Sequence, residues 1–114
     1  MPNIPKEMLD PELLLVLYAV DKAPNGVPTK THFQKMMYIV LKVLENDPRS
    51  TAGYVPHHFG PYSPVVESWR SILIDSGYLV KTSEERVRIH PDVKEDVKKI
   101  TFDDDLLELK ITNV

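Results

Sequence analysis

The amino-acid sequence predicts an α+β fold that is mainly α-helical, with the elements in the order helix, helix, helix, hairpin, helix. Three observations support this prediction. Apolar residues recur at helical spacing between residues that favour helix ends. Two short segments of alternating apolar and polar residues flank "SEE". The 114 residues are 42% hydrophobic, which is typical of one ordinary domain spanning residues 1–114. Three helices followed by a hairpin is the pattern of a winged helix-turn-helix, in which the third helix would read a DNA groove.

The first helix is predicted over about residues 10–22. Asp10 is the expected N-cap, and Pro11 suits the first helical position because its missing N–H would have no helical partner there. The sequence "APNG" then stops the helix and turns the chain. The stripe expected to be buried consists of Leu13, Leu14, Leu17 and either Val20 or Tyr18.

The second helix is predicted over about residues 30–46. Thr31 and Gln34 have the spacing of a capping box, though Thr29 could cap the helix instead. Apolar residues cover most of the circumference, which predicts that this helix is the central, buried one. They are Phe33, Met36, Met37, Val40, Leu41, Val43 and Leu44.

The third helix is predicted over about residues 63–76, with Ser63 as N-cap and Gly77 as the C-terminal stop. The "GPYSP" sequence that leads into it is interpreted as a rigid turn that aims the helix. The residues expected to face inward are Val65, Val66, Trp69, Ile72 and Leu73. Those expected to face outward are Glu67, Ser68, Arg70, Ser71 and Asp75.

A β-hairpin is predicted over about residues 78–90, where "YLVKT" and "RVRIH" are joined by "SEE". A further helix is expected over about residues 91–100, with Val93, Val97 and Ile100 on one face. Residues 102–114 remain open between two interpretations. The triple aspartate could cap a last helix, whereas Leu107, Leu109 and Ile111 alternate as in a strand.

Several functional classes are disfavoured by the composition. The absence of cysteine excludes disulfides and thiolate metal sites, and the adjacent His57 and His58 would point to opposite faces, so no metal or cofactor is expected. The sequence has no phosphate-binding glycine loop, no Gly-x-Ser-x-Gly elbow and no His-Glu-x-x-His motif, so no enzyme is expected. The longest apolar run is too short to cross a bilayer and no export signal is visible, so a cytoplasmic protein is expected.

DNA binding of the transcription-regulator type is the first functional hypothesis, with double-stranded DNA as the partner. Although the net charge is −3, residues 29–43 contain lysines and no acid. Basic and hydroxyl side chains on the third helix would reach base edges, and those on the hairpin and second helix would reach phosphates. The candidate residues are Ser68, Arg70 and Ser71 on the third helix, Arg86 and Arg88 on the hairpin, and Lys30, Lys35 and Lys42 on the second helix.

Binding to a protein is the alternative hypothesis, for an antitoxin or an adaptor, and a homodimer is also possible. Glu67 and Asp75 share the expected outward face of the third helix, and residues 84–85 place two glutamates at the tip of the hairpin. Carboxylates at these positions would repel phosphate. Tyr62 and Ser63, at the turn before the third helix, are the candidate contacts to a partner.

Two motifs carry a resemblance to known proteins. "FQKMMYIV" followed by "FGPYSPVVESWRSILIDSGYL" resembles the Panacea (SocA-like) antitoxin domain and small winged-helix proteins of archaea and their viruses. The likeness covers roughly residues 29–82 and implies a winged-helix fold with a regulatory or toxin-neutralising role. The matching positions are Gln34, Lys35, Met36, Met37 and Tyr38, then Gly60, Pro61, Tyr62, Ser63 and Pro64, then Gly77, Tyr78 and Leu79.

Overall fold

The computed structural model describes residues 5, 8–23, 25–43, 62–82 and 86–100, with the side chain of residue 43 excepted. Over these residues the fold is α+β and mainly helical, as the sequence predicts. The predicted end of the second helix, the first part of the "GPYSP" turn, the hairpin tip and the ambiguous C-terminal segment lie outside the described residues.

The elements follow the predicted order. The first and third helices match their predicted bounds to within one residue, whereas the last predicted helix is a 3₁₀ turn that leads into a five-residue α-helix. The elements are α1 (Pro11–Lys22), α2 (Lys30–Val43), α3 (Pro64–Asp75), β1 (Leu79–Lys81), β2 (Val87–Ile89), the 3₁₀ turn (Pro91–Val93) and α4 (Lys94–Lys98).

The sheet is small and antiparallel, with Leu79 of β1 opposite Ile89 of β2. On the other edge of β2, Val27 from the connection between α1 and α2 pairs with Val87 through two backbone hydrogen bonds of 2.8 and 2.9 Å. Gly26 makes this close approach possible, because it has a φ of +78° and a Cβ at this position would overlap the carbonyl oxygen of Val87. The connection before α2 is therefore fixed against the start of β2.

The central helix is α1. It packs against α2, α3, α4 and β2, and every residue from Leu15 to Val20 is buried. The prediction that α2 is central is wrong, because α2 keeps an exposed side that carries Lys35 and Lys42. An apolar surface around the whole helix is the property of a helix that has neighbours on all sides, and α1 has it.

The ends of α1 and α2 differ from each other in their capping. Asp10 occupies the N-cap of α1 with an extended backbone, but its side chain makes no capping hydrogen bond. For α2 the cap is Thr29 rather than Thr31, because the Thr29 hydroxyl accepts a 3.0 Å hydrogen bond from the backbone N–H of His32. The first turn of α2 therefore begins at Lys30.

Both ends of α3 confirm the sequence prediction. The Ser63 hydroxyl accepts a 3.2 Å hydrogen bond from the N–H of Val66, which is the expected N-cap geometry. At the other end Gly77 has a φ of +92°, and the N–H of Tyr78 donates to the carbonyl of Leu73 at 3.0 Å. This is a Schellman ending, which glycine favours because it adopts a positive φ without strain.

The face that α3 buries differs from the prediction. Val66 and Leu73 are buried and Trp69 is half-buried, as expected, but Val65 and Ile72 are 44% and 41% exposed. The buried face instead includes Arg70, a charged residue that was expected to face outward and that is described below. The helix is therefore rotated about its axis relative to the orientation that the apolar pattern predicts.

Candidate nucleic-acid interface

The N-terminal half of α2 forms one side of the candidate site. Thr29 caps the helix, and Lys30 and Lys35 are exposed, with the half-buried His32 between them in sequence. The unpaired N–H groups of a first helical turn give it partial positive charge, so anions are favoured there. Since residues 29–43 contain no acid, the lysines add to this charge without a carboxylate on the same helix to cancel it.

Arg86 brings a further positive charge to this region from the hairpin. The pairing of Val27 with Val87 fixes the start of β2 beside the entry to α2. The Nη1 of Arg86 donates a 2.8 Å hydrogen bond to the carbonyl oxygen of Asn25, in the connection between α1 and α2. The guanidinium group is thus held close to the beginning of α2.

The electrostatic surroundings of His32 show that these groups act on one another. Burial lowers the pKa of His32 below its ordinary value of 6.5, and the charges of Lys35 and Arg86 lower it further. Both effects favour the neutral imidazole over the imidazolium. We refer to Lys30, His32, Lys35 and Arg86 as the cationic surface. Lys30, Lys35 and Arg86 were predicted from the sequence to contact DNA. His32 was not, although the absence of acidic residues around it in the sequence could have pointed to it.

Arg70 does not lie where the sequence predicts. It is only 3% exposed, its Nη1 lies 3.4 Å from Oε1 of Glu67, and its Cζ lies 6.0 Å from the centre of the Phe33 ring. A side chain this deeply buried is not available to reach a base edge, so its predicted reading role is corrected. The ion pair also neutralises Glu67, which was expected to repel phosphate from this helix.

The exposed face of α3 carries Ser68 and Ser71, as predicted, together with Asp75. The Ser68 hydroxyl donates a 2.6 Å hydrogen bond to the carbonyl oxygen of Val65, one turn earlier in the helix. Between residues 64 and 75 the exposed positions are neutral except for that aspartate. This face therefore offers hydroxyl and apolar groups but no cation.

The turn before α3 is structural in its described part. Ser63 is fully buried and its hydroxyl is the cap of α3, so the prediction that it is an exposed partner contact is corrected. Tyr62 is half-buried. Gln34, buried in α2, holds the backbone of Ser63 with two hydrogen bonds: Nε2 donates to the carbonyl at 3.0 Å, and Oε1 accepts from the N–H at 2.9 Å. This link between α2 and the turn was not predicted, although both residues belong to the motifs quoted above.

Two other predicted basic residues, Lys42 and Arg88, are not among the charges that lower the pKa of His32. Lys42 is exposed near the end of α2, with its Nζ 5.5 Å from the centre of the Tyr38 ring. Arg88 is exposed on β2 and borders an open depression of about 260 Å³ that Asp21 and Lys94 also line. The C-terminal end of α1 adds partial negative charge beside this depression, which offsets the two cations.

Neither a metal site nor a membrane span was found in the part of the chain that the structure describes. No group of three or more His, Asp or Glu side chains there could hold a metal ion. None of the helices there is long and apolar enough to cross a membrane. Comparison with protein-family models, curated proteins and solved structures found no match.

Proposed function

We propose that this chain is a winged-helix protein that binds double-stranded DNA through the cationic surface. The order of elements supports the winged-helix assignment, and so does the extra pairing of Val27 with Val87. That pairing places a short extended segment, located between the first two helices, on the outer edge of the hairpin. The arrangement is thus helix, extended segment, helix, helix and hairpin. In the proposed winged helix α2 and α3 correspond to the two helices of the helix-turn-helix, joined here by the longer connection of residues 44–63, and β1 and β2 correspond to the wing.

The observation that carries the DNA proposal is the concentration of positive charge on one surface of a chain whose net charge is −3. Lys35 and Arg86 come from different elements, yet both act on His32. Like charges held together repel one another, and duplex DNA, with its closely spaced phosphates, would relieve this repulsion. In a winged helix the start of α2 and the hairpin both lie where the DNA backbone would pass.

The face of α3 suits a subordinate role in this proposal. The hydroxyls of Ser68 and Ser71 could contact bases or phosphates, and the exposed Val65 and Ile72 could contact thymine methyl groups. With Arg70 buried, no bidentate contact to guanine comes from this helix. We therefore expect the affinity to come mainly from phosphate contacts and the sequence preference to be modest.

A salt titration tests the proposal. Binding of a short fluorescent duplex, measured by anisotropy, should weaken log-linearly as salt rises, and Lys35→Ala and Arg86→Ala should each lower the magnitude of that slope by about one unit. Lys98→Ala is the matched control, because Lys98 is exposed on α4 and pairs with Glu95 at 3.5 Å. Its slope should equal that of the wild type.

Thermal melts would verify that Arg86→Ala is folded, since Arg86 also bonds to Asn25. A folded wild-type protein that binds no duplex at low salt would contradict the proposal.

A second candidate function, binding of a protein partner, is favoured by one observation. Val65 and Ile72 lie two turns apart on α3 and are both more than two-fifths exposed, and the half-buried Trp69 lies between them in sequence. Exposed apolar residues beside a tryptophan are typical of protein interfaces, as an antitoxin or adaptor would need. The Ile72→Asp variant separates the two candidates: loss of a protein partner with unchanged DNA binding would favour this second function.

A further inference from the structure

We propose that His32 contacts a DNA phosphate and takes up a proton when the duplex binds, so that acidification strengthens binding. This inference rests on the proposed function and adds a residue and a pH dependence to it. In the free protein the neutral form of His32 is favoured, so composition and net charge alone would not assign it to an anion site. Its placement in the structure does.

The structure places His32 in the first turn of α2, at the positive end of the helix, within range of the charges of Lys35 and Arg86. Its backbone N–H is bonded to Thr29 Oγ1 at 3.0 Å, which sets it at the third position of α2. Lys35 follows three residues later, so the two side chains are neighbours on the same face of the helix. Arg86 comes from the hairpin and is held by its 2.8 Å hydrogen bond to Asn25, close enough for its charge to act on His32. A phosphate drawn to the two cations would therefore meet the imidazole.

The charge balance at His32 reverses when a phosphate arrives. In the free protein the pKa of His32 is lowered by burial first, and then by the charges of Lys35 on α2 and of Arg86, which directly precedes β2. A phosphodiester placed among these groups adds a negative charge within reach of both cations and of the imidazole. That charge favours the imidazolium and raises the pKa of His32 in the complex above its value in the free protein.

The sign of the pH dependence follows from linkage. If the complex holds the proton more tightly than the free protein, affinity rises as pH falls through the interval between the two pKa values. Within that interval the affinity changes by up to about tenfold for each pH unit. Above the interval His32 is neutral in both states, and it then contributes no pH dependence.

The first test measures duplex affinity at constant salt from about pH 5 to about pH 8, the range in which histidine titrates. Wild type should lose roughly tenfold in affinity over this range, and His32→Gln should lose much less, because glutamine keeps a hydrogen-bond donor but no titrating charge. The control is His90→Asn, because the Nδ1 of His90 accepts from the N–H of Asp92 at 3.0 Å and asparagine can retain that cap. It should follow the wild type.

The outcomes separate the inference from the proposal on which it rests. If no variant binds duplex at any pH, DNA binding itself is wrong. If all three proteins bind with the same pH dependence, DNA binding stands and the role of His32 is overturned.

A second test follows the ring proton resonances of His32 by NMR, without and with duplex. The free protein should titrate below pH 6.5, the ordinary value for histidine, and the complex at a higher pH. Resonances of Ile100, just after α4 and away from the cationic surface, report any general effect of duplex on the protein. If duplex binds and the titration of His32 does not move upward, the imidazole contacts no phosphate and the inference fails.

Discussion

Arg70 is the residue whose position changes the functional interpretation most. An arginine is rarely buried unless its charge is paired, and here Glu67 supplies the pair while Phe33 supplies a flat apolar surface below the guanidinium. The spacing of Glu67 and Arg70 indicates an ion pair from the sequence alone. Whether such a pair lies outside or beneath the surface depends on Phe33, which belongs to another helix. Local spacing does not contain that information.

The burial of Arg70 predicts a large effect on stability. Arg70→Ala should lower the free energy of unfolding by about 3 kcal/mol, because it breaks a largely buried pair and removes the packing against Phe33. Arg88→Ala is the control, since Arg88 is exposed and its removal should change the free energy by less than about 0.5 kcal/mol. Urea unfolding measures both. Equal, small effects for the two arginines would mean that Arg70 lies on the surface and that the orientation of α3 is wrong.

At the scale of elements, both ends of α3 were predicted well because they depend on neighbouring residues. Ser63 and Gly77 cap α3 through contacts that lie within a few residues along the chain. The link between α2 and α3 could not be predicted in this way. The side chain of Gln34 bonds to the backbone of Ser63, far along the chain, and a glutamine among apolar residues gives no sign of its partner.

The link between α2 and α3 predicts that Gln34 is needed for the docking of the two helices. Gln34→Ala should lower the free energy of unfolding by about 2 kcal/mol, because the buried N–H and carbonyl of Ser63 would lose these two hydrogen bonds. Thr31→Ala is the control, as Thr31 is exposed on the same helix and alanine favours helix there. Chemical denaturation compares the two variants. A cost for Gln34→Ala no larger than that for Thr31→Ala would show that the amide does not hold Ser63 in solution.

At the scale of the whole molecule, the prediction of a mainly helical α+β chain was confirmed and the prediction of its centre was wrong. Both α1 and α2 are rich in apolar residues, and the number of such residues does not decide which helix is surrounded. The decisive pattern is continuity: Leu15 to Val20 contains no charged residue, whereas α2 repeats Lys35 and Lys42 at helical spacing along one side. Such a charged side leaves part of α2 in water.

The central position of α1 predicts the pattern of hydrogen exchange. Amide protons that open only on global unfolding belong to the helix with the most buried surroundings, so those of Leu17 to Val20 should exchange slowest. Those of α4, a helix of five residues, should exchange about tenfold faster or more through local opening. Native-state exchange followed by NMR at several low urea concentrations measures both sets. Slowest exchange in Met37 to Leu41 instead would return the centre to α2, as its apolar pattern had suggested. Slowest exchange in α1 would identify α1 as the helix around which the other elements assemble. Those elements include α2 and the hairpin, which carry the cationic surface.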